Sequence, residues 1–280
     1  MPQTANPLKQ FFRQPSIYLR LPSEGRYWSQ KSLNLPPNRE LPVYPMTAID
    51  EITYRTPDAL FNGQAVVNVI QSCIPAITDA WDMPGSDLNA ILVSVRIASY
   101  GHEMELGIKC PECETESDFL LDLRMILDQL KSPDYDTPIK HGDLEIAICP
   151  VSYRHQNNTN LQQYDQQRAI SQIQQSDQPD DVKIEQLNAT LKKITELTVE
   201  ALKYSIASIR TPQALVTETE FIHEFLINCD RKLYETVRDR IVELRGSGEI
   251  KPFTVACPNC NHKWPQTITL DQAAFFGGAS

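Results

Sequence analysis

Two cysteine knuckles, Cys110-Pro-Glu-Cys113 and Cys257-Pro-Asn-Cys260, constrain this chain of 280 residues more than any other feature. Set side by side, GIKCPECETESDFLLDL and FTVACPNCNHKWPQTITLD each read as a strand, a C-P-x-C turn, a polar turn and a second strand. A structural zinc site takes four ligands in a tetrahedron, and a C-x-x-C turn presents two thiolates on one side of a tight knuckle. Each segment therefore reads as half of a zinc ribbon, with Cys110, Cys113, Cys257 and Cys260 as the expected metal ligands. His262 offers a replacement ligand, although four thiolates already complete the tetrahedron. If the halves meet, the metal clamps the ends of a loop running from 114 to 256. Closure entropy rises slowly enough with length for such a clip to hold.

Two other readings of the thiols compete with zinc: a redox dithiol and a set of unmetallated cysteines. C-P-x-C also occurs in thioredoxin-like sites, where the first cysteine lies at a helix amino terminus that lowers its pKa. Here ETESDFLL and HKWPQTITL look like turns into strands, and a redox enzyme needs one such pair rather than two matched ones. No stretch approaches the roughly 18 apolar residues of a spanning helix, and MPQTANPLKQFFRQ lacks a secretory apolar run. The expectation is a cytosolic chain with no membrane segment, where thiols stay reduced and favour metal or packing over disulfides. Cys73, within an apolar run, reads as a small buried hydrophobe.

The net charge of −10 argues against a duplex nucleic-acid surface, which usually shows basic excess. Its distribution is uneven: Lys9, Arg13, Arg20, Arg26 and Lys31 against Glu24 give 5 − 1 = +4 over 1–31, leaving −14 elsewhere. Catalytic patterns are scarce. There is no Walker loop, and GSGEIK reads as a helix stop rather than a phosphate cradle. His102-Glu103 and His223-Glu224 lack the second histidine of a zinc protease, and no G-x-S-x-G elbow occurs. The chain is expected to be non-enzymatic.

The expected organisation is α+β, a helix-rich body with the ribbon built from hairpins distant in sequence. Residues 1–45 form an extended, proline- and aromatic-rich basic arm with an edge strand at Ile17, Leu19 and Leu21, packed on its own domain or docked on another subunit. Residues 46–101 form a helical layer: Thr47 caps one turn, Thr56-Pro57-Asp58 opens another that stops at Asn62-Gly63, and Pro75 ends a third helix. Ser86 or Asp87 caps the last helix of the layer, and Gly101 terminates it. Residues 102–154 carry the first ribbon half and a hairpin through His141-Gly142. A helical insertion, 155–245, follows. It begins with twelve Asn or Gln among the 24 residues from His155 to Gln178, a weakly buried helix or a connector. DVKIEQLNATLKKITELTVEALKYSIASI then reads as one helix. TETEFIHEFLINCDRKLYETVRDRIVELRGSGEI reads as another, with a Thr217/Glu220 capping box and a stop at Gly246. These two pack as an antiparallel pair across Arg210 to Leu215. Residues 246–280 hold the second ribbon half and the apolar tail AAFFGGAS, which with Phe11 and Phe12 offers aromatic anchors.

The strings FFRQPSIYLRLPSEGRYW, PMTAIDEITYRTPDALFNGQAVVNVIQSCIP, VRIASYG, C-P-E-C, C-P-N-C and AAFFGGAS together resemble the baseplate hub and hub-assembly proteins of contractile-tailed, T-even-type bacteriophages. The resemblance spans nearly the whole chain and is strongest over 10–123 and 215–280. It implies a hub component or hub-assembly chaperone that works through contacts with other tail and baseplate hub proteins, in the host cytoplasm during assembly or in the virion baseplate, with zinc as scaffold. The alternative is a zinc-ribbon nucleic-acid-binding or regulatory phage protein, which would bind DNA or RNA in a salt-sensitive way.

Overall fold

The computed structural model describes residues 6–56 and 63–267. The turn expected at Thr56-Pro57-Asp58 therefore lies largely outside the described residues, and the AAFFGGAS tail lies wholly outside them. The described chain is α+β, with helices over several small antiparallel sheets and two apolar cores.

The first core joins the arm to the helical layer. Alternation along Ile17–Leu19 (β1) and Leu41–Val43 (β2) puts Leu19, Leu41 and Val43 on one face, and the two strands pair antiparallel with Ile17 opposite Val43. Downstream of Arg13 the arm thus packs on its own helices, as the first of its two readings expected. Arg13 secures it, donating to the carbonyls of Pro45 at 2.6 Å and Ser72 at 2.7 Å. Upstream, Leu8, Phe11 and Phe12 are exposed.

The layer consists of Ala48–Tyr54 (α1), Gln64–Cys73 (α2) and Gly85–Tyr100 (α3), with the later short helix Leu123–Gln129 (α4) packed against α3. Thr47 and Asp50 form a capping box on α1, and Gly101, at φ 89°, ends α3 where an L side chain would be strained. The expected cap of α3 is not made: Pro84 is the N-cap, and neither Ser86 nor Asp87 caps. Asp87 turns into the interior instead. Its carboxylate accepts from Ser23 N–H (2.8 Å), Ser23 Oγ (2.5 Å) and Trp28 Nε1 (2.8 Å), so one buried acid ties the arm to the helix.

The second core lies under a four-stranded sheet: Ile139–His141 (β5), Leu144–Ile148 (β6), Ile206–Arg210 (β7) and Leu215–Val216 (β8), in that spatial order. Gly142, at φ 57°, makes the expected hairpin turn between β5 and β6. Three helix expectations require correction here. SIASI is not helix: the preceding helix ends at Lys203, and Ile206, Ile209 and their neighbours pair with β6. Tertiary pairing overrides a run whose apolar spacing also suits a strand. Consequently Arg210 to Leu215 is a strand connection, with Thr211 Oγ1 accepting from the N–H groups of Gln213 and Ala214, and the antiparallel helix pair lies one connection earlier. The long helix after Thr217 is two helices, Thr219–Asn228 (α7) and Arg231–Ser247 (α8). Asp230 caps the second by accepting from Leu233 N–H at 3.0 Å, and this local bond breaks the helix without breaking the stripe. Ile222, Leu226, Leu233, Val237, Ile241 and Leu244 remain buried along both. The Thr217/Glu220 box is absent, since Glu218 occupies the N-cap, and Gly246 lies within the last turn, with Gly248 as C-cap.

The amide-rich segment is a helix, Tyr153–Gln175 (α5), capped by Ser152, and it packs against Asp180–Lys203 (α6). From 154 to 196 no residue of this helical arm is buried. Its root is well fixed: Tyr153 stacks on Trp81, His155 on Tyr204, and Arg154 bonds Asp79.

Candidate metal centre

Glu103–Lys109 (β3) and Glu116–Asp122 (β4) form one hairpin, and Phe253–Ala256 (β9) and Lys263–Gln266 (β10) the other. The turns between their strands repeat each other bond for bond. Cys110 N–H donates to the Thr115 carbonyl at 3.0 Å, as Cys257 N–H does to that of His262 at 2.9 Å. Glu114 N–H donates to the Cys110 carbonyl, and Asn261 N–H to that of Cys257, both at 3.0 Å. Glu114 (φ 54°) and Asn261 (φ 58°) take the same left-handed conformation. Equal spacing in sequence has become equal backbone geometry, which aims both sulfurs of each pair to one side of its turn.

The turns face each other. Cys110 Sγ lies 3.7 Å from Cys260 Sγ, Cys113 Sγ lies 3.5 Å from Cys257 Sγ, and all four sulfurs fall within 4.8 Å of one another. These separations suit the edge of about 3.8 Å in a tetrahedron of sulfurs about 2.3 Å from a central zinc. They are too long for disulfides, and all four cysteines are free thiols. The structure thus brings together every expected ligand, and the group could hold a metal ion. Cys110 and Cys257 are buried, Cys113 is half-buried and Cys260 is exposed.

His262 is not part of this sulfur group; its ring stacks over Trp264. Neighbours that the sequence did not single out complete the surroundings. Asn259 donates from its backbone to Cys257 Sγ at 3.4 Å and from its side chain to Thr115 Oγ1 at 3.2 Å, bridging the two turns. Phe119 stacks on Phe253 at 5.2 Å, the apolar half of the same junction. The signal for Asn259 was its place inside the knuckle, but its cross-turn bond depends on a residue remote in sequence.

Without a cation Cys113 and Cys260 do not ionise alike. The Thr115 hydroxyl and backbone N–H hold Cys113 down at about 6. Cys260 has a backbone bond from His262 that favours its thiolate, but desolvation and the sulfurs of Cys113, Cys257 and Cys110 push it up to about 12. One proton leaves easily and another is retained because adjacent thiolates repel, a repulsion that a bound dication would offset.

The remaining thiols look inert. Burial pushes Cys73 up to about 12 and Cys149 up to about 11, well above the range of reactive thiolates. Cys149 lines a cavity of about 600 Å³ between the two cores, with amide walls from Asn89, Gln156 and Asn160. Among the described residues no helix is long and apolar enough to cross a membrane.

A family model described as T4 bacteriophage base plate protein matches residues 46–276, which include both cysteine hairpins and the arm between them. No curated protein and no solved structure matches the chain.

Proposed function

Since this chain belongs to the T4 bacteriophage base plate protein family, we propose that it serves the central hub of the tail baseplate, as a minor hub component or as a chaperone of hub assembly. It does so by binding other baseplate hub proteins rather than by turning over a substrate. The observation that carries this reading is the convergence of four sulfurs from two segments remote in sequence into one group, a construction that serves scaffolding. Zinc, bound by Cys110, Cys113, Cys257 and Cys260, would lock the hairpins together; four thiolates leave no open position for a reacting ligand. What remains for function is surface. Leu8, Phe11 and Phe12 stand exposed just upstream of the Arg13 anchor, and a partner that buries each phenylalanine gains about 1.5 to 3 kcal/mol per side chain.

The test is a tagged chain expressed during infection, with mass spectrometry of captured proteins, of purified virions and of lysate. Capture of baseplate hub proteins, lost on Phe11→Ser/Phe12→Ser substitution, supports the reading; presence in virions assigns a component, absence an assembly chaperone. Salt-sensitive retention of DNA or RNA without baseplate proteins would overturn it.

A further inference from the structure

The helical arm has more apolar surface than its own hairpin covers. Along α6, Ile184, Leu187, Leu191 and Ile194 recur at alternating steps of three and four, the a and d positions of a heptad. Leu187 and Ile194 are half-covered, whereas Ile184 is 59% and Leu191 53% exposed. One seam is thus partly filled while the ridge beside it faces water, and at the root only Leu197, Leu202 and Lys203 of this helix are buried. A helix with apolar residues on two adjacent seams suits a bundle of more than two helices.

We propose that the occupant of this ridge is the same ridge of a second copy, laid antiparallel. The charges beside it select that arrangement. At about 100° per residue, Asp181 and Lys192 lie about 60° and 80° from Ile184, on one flank of the ridge. In an antiparallel helix pair like flanks meet. A two-fold axis that sets Ile184 against the partner's Leu191 passes midway between 184 and 191; one that sets Asp181 against the partner's Lys192 passes midway between 181 and 192. The two midpoints differ by one residue, about 1.5 Å along the helix. One axis therefore satisfies both the apolar and the charged pair, each twice by symmetry. In a parallel pair the flank carrying Asp181 and Lys192 would instead face the partner's opposite flank, where Leu187 and Ile194 lie, and neither charge would meet its opposite. Asp180, Asp181 and Lys192 are all exposed, so no rearrangement is needed to present them.

Fewer than three heptads make a weak interface, so the full zinc-loaded chain should dimerise between about 1 and 100 µM. Sedimentation equilibrium would show the mean mass rising from 31.8 kDa towards twice that value with concentration. Leu191→Glu should return the chain to monomer, with an unchanged helical circular dichroism signal because the position is exposed. Asp181→Lys and Lys192→Asp should each weaken dimerisation by roughly tenfold, from two symmetric pairs, and the double substitution should restore it. A wild-type chain that stays monomeric across that range, a Leu191→Glu chain that still dimerises, or a double charge swap as weak as the single ones would overturn the proposal.

Discussion

The paired hairpins at 103–122 and 253–266 unite segments remote in sequence, whereas the arm at 153–203 packs chiefly on the neighbour to which a four-residue turn connects it. In the first region, among the described residues, few side chains hold the junction: four sulfurs, the Phe119–Phe253 stack and the Asn259 amide, which donates to Thr115 and Cys113. In the second, some forty residues share a contact in which none is buried. Loop closure explains the contrast. A junction between remote segments must offset a chain entropy that local packing never incurs, so its strength is concentrated in four sulfurs that could hold a metal, while the arm can rely on helical propensity and a shallow seam.

The largest effect should follow from removing one thiolate. Structural zinc supplies on the order of 10 kcal/mol of apparent free energy in small domains, and a three-ligand site retains only part of it. Cys257→Ser should therefore lower bound zinc from one equivalent to below about half, and should expose the amides of 253–266 to hydrogen exchange while those of 139–148 stay protected. Elemental analysis with site-resolved exchange measures both. Full zinc occupancy in the variant would show that the sulfurs do not act as one site.

Next in size is the buried acid that ties the arm to α3. Asp87→Ala leaves the Ser23 N–H, the Ser23 hydroxyl and the Trp28 N–H without an acceptor, each costing about 1 to 3 kcal/mol, so a loss near 3 kcal/mol or more is expected in urea unfolding. Asp87→Asn isolates the charge. Burial raises the folded-state pKa of Asp87 against the pull of its three donors. The folded state thus binds the proton more readily than the unfolded state does, and the resulting stability is present at acid pH and lost as pH rises through the folded-state pKa. Wild type should accordingly lose ground to Asp87→Asn as pH rises above the ordinary aspartate range of about 4, and the difference between the two cancels the thiol cluster they share. A gain for wild type over that range would reverse the sign of the argument.

This acid also shows where sequence reasoning stops. The sulfur cluster was legible because four cysteines at matched spacing permit few other arrangements, and the α+β class followed from strand patterns flanking those turns. Asp87 was read as a helix cap because an acid in a first turn suits one; its true partners, Ser23 and Trp28, are visible only once the arm folds back. SIASI was read as helix for a related reason, since pairing with β6 decides its state. The break at Cys229-Asp230 was hidden differently: the apolar stripe runs on through it, and only the cap at Asp230 marks it. That cap gives a smaller prediction. Asp230→Ala should cost about 1 kcal/mol, a fall in Tm of about 2 to 4 °C by calorimetry. No change would mean that packing of Leu233 and Val237, rather than the cap, starts α8.

The smallest effect is expected where the comparison is sharpest, in the arm itself. Replacing 164–191 by a short glycine-serine turn between Gln163 and Lys192 removes more residues than either cysteine hairpin contains, yet none of them is buried. Since stability follows apolar area removed from water rather than residue count, the shortened chain should melt within about 2 °C of wild type, provided both are compared at a concentration where neither self-associates. The root supports this: Tyr153 on Trp81, His155 on Tyr204 and the buried Leu197 and Leu202 all lie outside the deletion. Zinc content should be unaffected, because the clip constrains the ends of the loop and closure entropy depends weakly on its length. In the intact chain, amides of 156–178 should exchange faster than those of 87–98, which lie in the buried α3. A shortened chain that melts more than about 5 °C lower, or protection in 156–178 equal to that in α3, would place the arm within the cooperative core and remove the contrast between clip and arm.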